Sequence, residues 1–459
     1  METISVSREL LDRYNKPGPR YTSYPTVPVW SNNFDEEDYR QALRDFAEQP
    51  GADLTLYVHL PFCAERCYYC GCNATVTKKS GVVDAYLDRV KREIELVTAT
   101  LGARRRVVQV HWGGGTPNFL STAQTRRLFS MLADAFDLDD NGEISVEVDP
   151  RIATREQLEL YRELGFTRVS LGVQDFEPQV QEAIGRIQPE VQTRAIYAAC
   201  RELGFDSVNL DIVYGLPFQT EKSFRRTLRE VINLKPDRLA CFSYAHVPWV
   251  KANQKQVDTT QLPGTYEKFD LFLAAIETLN ASGYDWIGMD HFARHNDELA
   301  VAVREKRLHR NFMGYTTQAA PHMIALGMSG ISDLAGHFAQ NDAKLGDYQK
   351  ALDVGRLPIV KGMHLSQDDK LRRKVITHMM CNLELPYDLT CADFGVSVTD
   401  ALGVELERLR PCADEGFVQF DPDGLKVTTL GRFFIRNLCM ELDAYLDQKS
   451  DRPLFSKTI

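Results

Sequence analysis

This sequence predicts an α/β fold: an incomplete, open barrel of six β/α units, preceded by an N-terminal segment and followed by a mainly helical domain. Three observations predict it. Short β-branched runs alternate with longer amphipathic runs six times between residues 54 and 284. Polar residues gather at the C-terminal ends of the short runs, where α/β barrels carry their sites. A chain of 459 residues also exceeds what one hydrophobic core supports, so a second domain is expected.

The elements follow in order. "LTLYVHLP" (54–61) reads as the first strand and "VVDAYLDRVKREIELVTATL" (82–101) as its helix. "RVVQVHWGG" is the second strand, and Ser121 opens the next helix with "STAQ", a capping box. "EISVEVDP" precedes a helix opened by Thr154 with "TREQ", a second capping box. "RVSLGVQD" leads into two helical runs ending at Phe205, and "SVNLDIVYGLP" into a helix ending near Lys235. "RLACFSYAHV" is the sixth strand, with a helix over 266–284. Residues 1–50 contain "KPGPRYTSYPTVPVW", too rich in proline for a helix and expected to lie across the barrel mouth. Residues 51–364 form the barrel and its extension. Residues 365–459 change to helical runs, a hairpin in "FVQFDPDGLKVTTLG" and a last helix over 431–446, a domain of winged-helix type.

Composition narrows the function classes. A hydrophobic fraction of 44% with 26% charged residues is ordinary for a globular chain. A net charge of −10 argues against a nucleic-acid partner, and the one dense basic cluster, Arg104-Arg105-Arg106, reads as a solvated turn. The start "METISVSRELLDRYNK" has no apolar signal region, and no apolar run approaches the roughly 18 residues of a membrane span. A cytoplasmic protein with reduced thiols is therefore expected.

Four of the ten cysteines crowd into "PFCAERCYYCGCNATVTKK", at Cys63, Cys67, Cys70 and Cys72, spaced C-x3-C-x2-C-x-C. Structural zinc usually takes two pairs from separated knuckles, and no second pair follows. An iron–sulfur cluster suits thiolates in one tight loop better. The loop also follows a barrel strand at its C-terminal end, the catalytic position.

The spacing C-x3-C-x2-C resembles the signature of the radical S-adenosylmethionine (SAM) enzymes. The motifs "RYTSYPT", "YVHLPFC", "CYYCGCN", "HWGGGTP", "EVDPR", "LGVQDF", "LDIVYGLP", "YAH", "IGMDHFAR", "HRNFMGYTTQ" and "GRFFIRNLCM" occur in that order. Together they resemble the bacterial oxygen-independent coproporphyrinogen III oxidases over essentially the whole chain. The resemblance implies a [4Fe–4S] cluster held by Cys63, Cys67 and Cys70, with the fourth iron left to SAM and Cys72 near it without ligating. Reduction of the cluster cleaves SAM to methionine and a 5′-deoxyadenosyl radical. The radical takes hydrogen from a propionate β-carbon of coproporphyrinogen III, which then loses CO2 and an electron, so that two propionates become the vinyls of protoporphyrinogen IX.

Two bound SAM molecules are implied. For the one on the cluster the resemblance points to Tyr57, Gly114, Glu147 and Ile331. For the second it points to Tyr69, Gly115, Thr116, Gln174, Arg186, Asp211 and Ala245. The residue types suit such contacts: glycines admit a close ligand, carboxylates accept from an amine or ribose, and a guanidinium clamps a carboxylate. It further implies a low-potential electron donor such as a flavodoxin or ferredoxin, an unnamed electron acceptor, and a monomer. No residue stands out as a catalytic acid or base. The competing reading is the related haem chaperone, which shares the barrel and three-cysteine loop; "GCN", "RYTSYP" and "IGMDHFAR" set this sequence apart from it.

Overall fold

The β-branched runs become six parallel strands in the computed structural model, which describes residues 6–49, 51–318, 320–446 and 455–458. They are β1 (Leu54–Leu60), β2 (Arg106–Gly114), β3 (Asp137–Val148), β4 (Arg168–Gln174), β5 (Ser207–Tyr214) and β6 (Arg238–Ser243). Each pairs in parallel with the next. The intervening helices are α1 (Ser80–Leu101), α2 (Thr122–Ala135), α3 (Arg155–Glu163), α4 (Pro178–Ala183), α5 (Glu190–Glu202) and α6 (Glu221–Leu234), with α7 (Thr265–Ala281) after β6. Both expected capping boxes are present: Ser121 Oγ accepts from the Gln124 amide and Thr154 Oγ1 from the Gln157 amide, and each glutamine returns the bond. On α6, Lys235 takes a left-handed conformation and ends the helix.

The sheet continues on the other side of β1. Strand β7 (His322–Leu326) pairs with β1 in parallel, and β8 (Ile331–Leu334), β9 (His337–Asn341) and β10 (Ile359–His364) follow antiparallel. The order is β10-β9-β8-β7-β1-β2-β3-β4-β5-β6. These four strands were not anticipated. They are short, and His, Gly, Ser and Asp interrupt the β-branched residues that would mark them.

The chain divides into two units. One comprises Ser31–Ser282 and Gln318–His364 and holds these ten strands; the other comprises Met1–Trp30, Gly283–Thr317 and Leu365–Ile459. The expected single segment 1–50 is therefore split at Trp30. Helix Glu36–Ala47 packs with the sheet unit, where the Tyr39 hydroxyl bonds Ser332 Oγ at 3.1 Å. The proline-rich stretch before it packs on the C-terminal helices instead. Buried Arg436 donates to the carbonyls of Pro19 and Gly18, and the Tyr21 hydroxyl donates to Asp443 at 3.0 Å. A guanidinium reaches backbone carbonyls that proline-rich chain cannot pair in a ladder. In this second unit a hairpin, Val418–Asp421 against Gly424–Val427, gains a third strand, Glu384–Pro386. The last helix is shorter than expected, a 3-10 turn over Gly431–Phe434 and an α-helix over Ile435–Met440.

Candidate active site

Alternation along the parallel strands builds the site. On β4 the odd members Val169, Leu171 and Val173 are buried in the core, while Ser170, Gly172 and Gln174 stand on the opposite, less buried face. The same period puts Tyr57 and His59 of β1, His111 of β2, Ser145 and Glu147 of β3, and Asn209 and Asp211 of β5 on one face. They join side by side. The His59 Nε2–H donates to the Asn73 carbonyl at 2.9 Å, so its Nδ1 accepts from the Tyr57 hydroxyl at 3.0 Å. Burial lowers the His59 pKa, consistent with this neutral tautomer. The Tyr57 ring stacks on His111, 6.0 Å between centroids. His111 in turn reaches Ser145 Oγ at 2.7 Å and Glu147 Oε1 at 3.3 Å. Further along, Asn209 donates to Ser170 and Asp211, and Ser170 donates to Asp211.

Two carboxylates on this stripe differ in charge state. Burial pushes Glu147 up, but the His111 contact and the Gly114 amide, which donates to Oε2 at 3.2 Å, bring it below the ordinary carboxylate range. Burial, reinforced by the nearby Glu147 charge, raises Asp211 to about 7. Near neutral pH the pair holds one full negative charge and one shared with a proton.

The glycine run after β2 is forced by close approach. Gly114 has φ +120°, and a Cβ there would lie 2.7 Å from the His59 ring. A Cβ on Gly113 would stand 2.9 Å from Glu147 Oε1, and one on Gly115 would stand 2.6 Å from the Pro61 backbone. Beside the run, Thr116 Oγ1 lies 3.3 Å from Cys63 Sγ. The run thus lies between the carboxylate and the base of the cysteine loop.

That loop leaves β1 at Pro61. Its base is closed by a two-residue parallel pairing, Phe62 with Thr75 and Cys63 with Val76. Burial raises the Cys63 thiol pKa, while a hydrogen bond with Cys72 lowers that of Cys70, with Arg66 and Arg186 acting in the same sense. Cys67 is buried, and both Arg151 and Arg186 reach its sulfur at 3.7 Å. Among the described residues no three His, Cys, Asp or Glu side chains converge as a single metal ion would need.

Arg186 lies in the loop between α4 and α5, where Gly185, at φ +61°, and Pro189 end and restart the helices. Its guanidinium is buried, and the carboxylate it clamps is Asp149, through Nη1 and Nη2 at 3.2 Å each. The remaining Nη hydrogens go to Cys67 Sγ and to the Gly172 carbonyl, which leaves Nε buried without a protein partner. Gly172 is itself constrained, since a Cβ there would stand 2.8 Å from Gln174 Nε2 and 3.2 Å from Arg186 Nη2. Gln174 holds φ +67° to take this position.

The structure therefore brings Tyr57, Gly114, Gly115, Thr116, Glu147 and the cysteine loop together, and groups Gln174 and Arg186 beside Cys67. Asp211 joins through the stripe. Tyr69 and Ala245 meet through Gln254, whose Nε2 donates to both of their carbonyls. Ile331 begins β8, two strands from Tyr57 and at the level of Ala325, its neighbour across β7. Sequence reasoning placed His59 and Asp149 among the polar residues at the strand ends but missed His111 and Arg151 as members of the site. The "EVDPR" run carried a signal, since a strand-end carboxylate two residues before an arginine suits a local ion pair.

Known proteins align with this arrangement along its whole length. Enzymes called oxygen-independent coproporphyrinogen III oxidase from Escherichia coli and Synechocystis are 44% and 43% identical, covering 100% of this chain and 99–100% of their own. One from Helicobacter pylori is 40% identical, over 100% of both chains. The chain belongs to the oxygen-independent coproporphyrinogen III oxidase family. The solved E. coli coproporphyrinogen III oxidase, described as a radical SAM enzyme, is 43% identical with a TM-score of 0.90, covering 93% of this chain and 98% of that one. The Radical SAM superfamily matches residues 57–231, from Tyr57 past Asp211, and the HemN C-terminal domain matches residues 365–434. Within this oxidase family the α/β radical SAM fold is thus paired with a HemN C-terminal domain. A [4Fe–4S] cluster and SAM come with the family, and the residues fit both. Three cysteines sit on one loop, the Gly113–Gly115 backbone packs closely between Glu147 and that loop, and the buried Arg186 Nε–H is left for an anionic group. Among the described residues no helix is long and apolar enough to cross a membrane.

Proposed function

We propose that this chain carries out the oxygen-independent oxidative decarboxylation of coproporphyrinogen III, turning two propionates into vinyls and giving protoporphyrinogen IX. The observation that carries the reading is the full-length identity of 43–44% to enzymes of that name, in a chain whose cysteine loop and polar stripe lie within the radical SAM region. When bound, the cluster supplies the electron that converts SAM to methionine and a 5′-deoxyadenosyl radical. A hydrogen atom leaves the propionate β-carbon; the substrate then sheds CO2 and passes one electron to an acceptor, so each propionate yields one vinyl and one CO2.

Cys63, Cys67 and Cys70 would ligate three irons, with Cys72 nearby and not a ligand. Tyr57, Gly114, Glu147 and Ile331 would receive the SAM on the cluster. Supporting this are the ionised Glu147, the close packing of Gly113 and Gly114 against Glu147 and His59, and a Tyr57 ring fixed by His59 and His111. A second SAM would meet Tyr69, Gly115, Thr116, Gln174, Arg186, Asp211 and Ala245. In support, the Arg186 Nε–H can give one charge-assisted bond, and Asp211 can accept or donate near neutral pH. We read the six β/α units as a partial barrel and the hairpin over 418–427 with its helices as a winged helix. A cytoplasmic monomer, reduced by a flavodoxin or ferredoxin, completes the proposal.

The test is anaerobic turnover of the reconstituted protein with coproporphyrinogen III, SAM and dithionite. The expected result is vinyl products with matching 5′-deoxyadenosine and methionine. Tight haem binding with no vinyl formed would support the haem-chaperone reading instead.

A further inference from the structure

The cysteine loop is held from outside by a short run of which the site described above uses only Gln254. The 3-10 turn Ala252–Gln256, together with Lys251 just before it, lies against the loop after β6. Asn253 Nδ2 donates to three loop carbonyls at once: Cys67 at 3.1 Å, Tyr68 at 3.0 Å and Cys70 at 2.9 Å. Gln254 Nε2 takes the Tyr69 carbonyl at 2.8 Å, and Lys251 Nζ contacts the Cys72 carbonyl at 3.4 Å and Asn73 Oδ1 at 2.8 Å. Only the Gly71 carbonyl between Cys67 and Cys72 is outside this set. Carbonyls that converge in this way repel one another unless a donor lies among them.

The orientation of the Asn253 amide is fixed by the same argument. Its Oδ1 is buried with no protein partner. Turning the amide over would satisfy nothing and would set that oxygen against three carbonyls. One unpaired acceptor is thus tolerated to keep two N–H bonds among three oxygens. Gln254 is fixed as well: its Oε1 accepts from the Val247 amide at 2.6 Å, while Nε2 also holds the Ala245 carbonyl.

We propose that Asn253 and Gln254 are positioning residues that set the shape of the Cys67–Cys70 turn, and that retention of the cluster by this loop depends on them. The proposal rests on the reading of Cys63, Cys67 and Cys70 as cluster ligands. Both side chains act through the backbone that carries the sulfurs. Gln254 also ties the loop to the Ala245 segment, since its Nε2 donates to the carbonyls of Tyr69 and Ala245.

Three substitutions at Asn253 grade the donor. Asn253→Ser keeps one O–H, Asn253→Ala keeps none, and Asn253→Asp keeps the shape but opposes carbonyls with oxygen. The full-length chain is studied by hydrogen exchange before cluster assembly, then by iron loss to a chelator after anaerobic reconstitution. Exchange of amides in residues 66–73 is expected to speed by about tenfold in the Ala and Asp variants and less in Ser, with the β1–β6 sheet unchanged. Iron loss should accelerate in the same order. If Asn253→Ala fails to fold, Gln254→Glu serves, since it keeps the acceptor for Val247 and removes the donor to Tyr69. Wild-type exchange and chelation rates in Asn253→Ala, or in Gln254→Glu where that variant replaces it, would overturn the proposal. Failure of the wild-type chain itself to hold iron would instead overturn the cluster reading, so the two failures are told apart.

Discussion

Replacing Arg186 with alanine separates a two-SAM site from a one-SAM site. The guanidinium makes paired bonds to Asp149, a bond to the Gly172 carbonyl and a contact to Cys67, and leaves Nε–H for a ligand. The loss of stability should be moderate. Asp149 keeps Arg151, which donates from its backbone amide, Nε and Nη2, so no charge is stranded. The penalty therefore falls below the roughly 3–5 kcal/mol of breaking an isolated buried pair. Loss of one charge-assisted bond to SAM costs about 1.5–3 kcal/mol, or roughly ten- to a hundredfold in affinity. Anaerobic equilibrium dialysis of labelled SAM against the reconstituted protein should show stoichiometry falling from two towards one. Cluster absorbance should stay constant and decarboxylation should drop. A variant that binds two equivalents with unaltered affinity would refute the reasoning and leave Arg186 as the partner of Asp149 alone.

Three further outcomes are expected. Cys63→Ser, Cys67→Ser and Cys70→Ser should each lose most iron and all SAM cleavage, because a soft thiolate ligand is gone, whereas Cys72→Ser should retain the brown cluster; iron analysis and visible absorbance decide it. Gly114→Ala places a Cβ against the His59 ring at a φ of +120°, and His59 is pinned by Tyr57 and the Asn73 carbonyl. A cost of at least about 1–3 kcal/mol in thermal unfolding, with loss of SAM binding, should follow. Buried Glu93 accepts from Tyr348, Asn341 and the Gly327 amide, yet burial raises it from 4.5 to about 7. The folded chain then holds this proton to higher pH than the unfolded chain, so its contribution weakens as pH rises from about 4.5 to about 7. The stability advantage of wild type over Glu93→Gln should shrink across that window by on the order of 3 kcal/mol in denaturant titrations; a constant difference would contradict it.

The parallel strands were legible because each is a β-branched run closed by polar residues, and Ser121 and Thr154 wrote their helix starts into local spacing. Strands β7 to β10 were not, because they are short, and polar residues and glycine interrupt their β-branched residues, although β8 and β9 are joined by a tight turn. The cysteine cluster stood out by its spacing, and its resemblance to the radical SAM signature gave the cysteines and the glycine run their expected roles. Gly185 and Pro189, residues that end and restart helical chain, carried the signal that Arg186 lies between two helices. The pairing of Asp149 with Arg186 and the role of Asn253 were invisible for another reason. Asp149 joins Arg186 from 37 residues away, and Asn253 reaches Cys67 from 186 residues away, contacts that only the folded sheet creates.

The central claim is that hydrogen is taken from a propionate β-carbon through SAM. Coproporphyrinogen III carrying deuterium at those β-carbons, turned over anaerobically with SAM and reductant, tests it most directly by mass spectrometry of the 5′-deoxyadenosine formed. The account predicts deuterium in that product, in step with vinyl formation. Vinyl products accompanied by unlabelled 5′-deoxyadenosine, or by none, would contradict it.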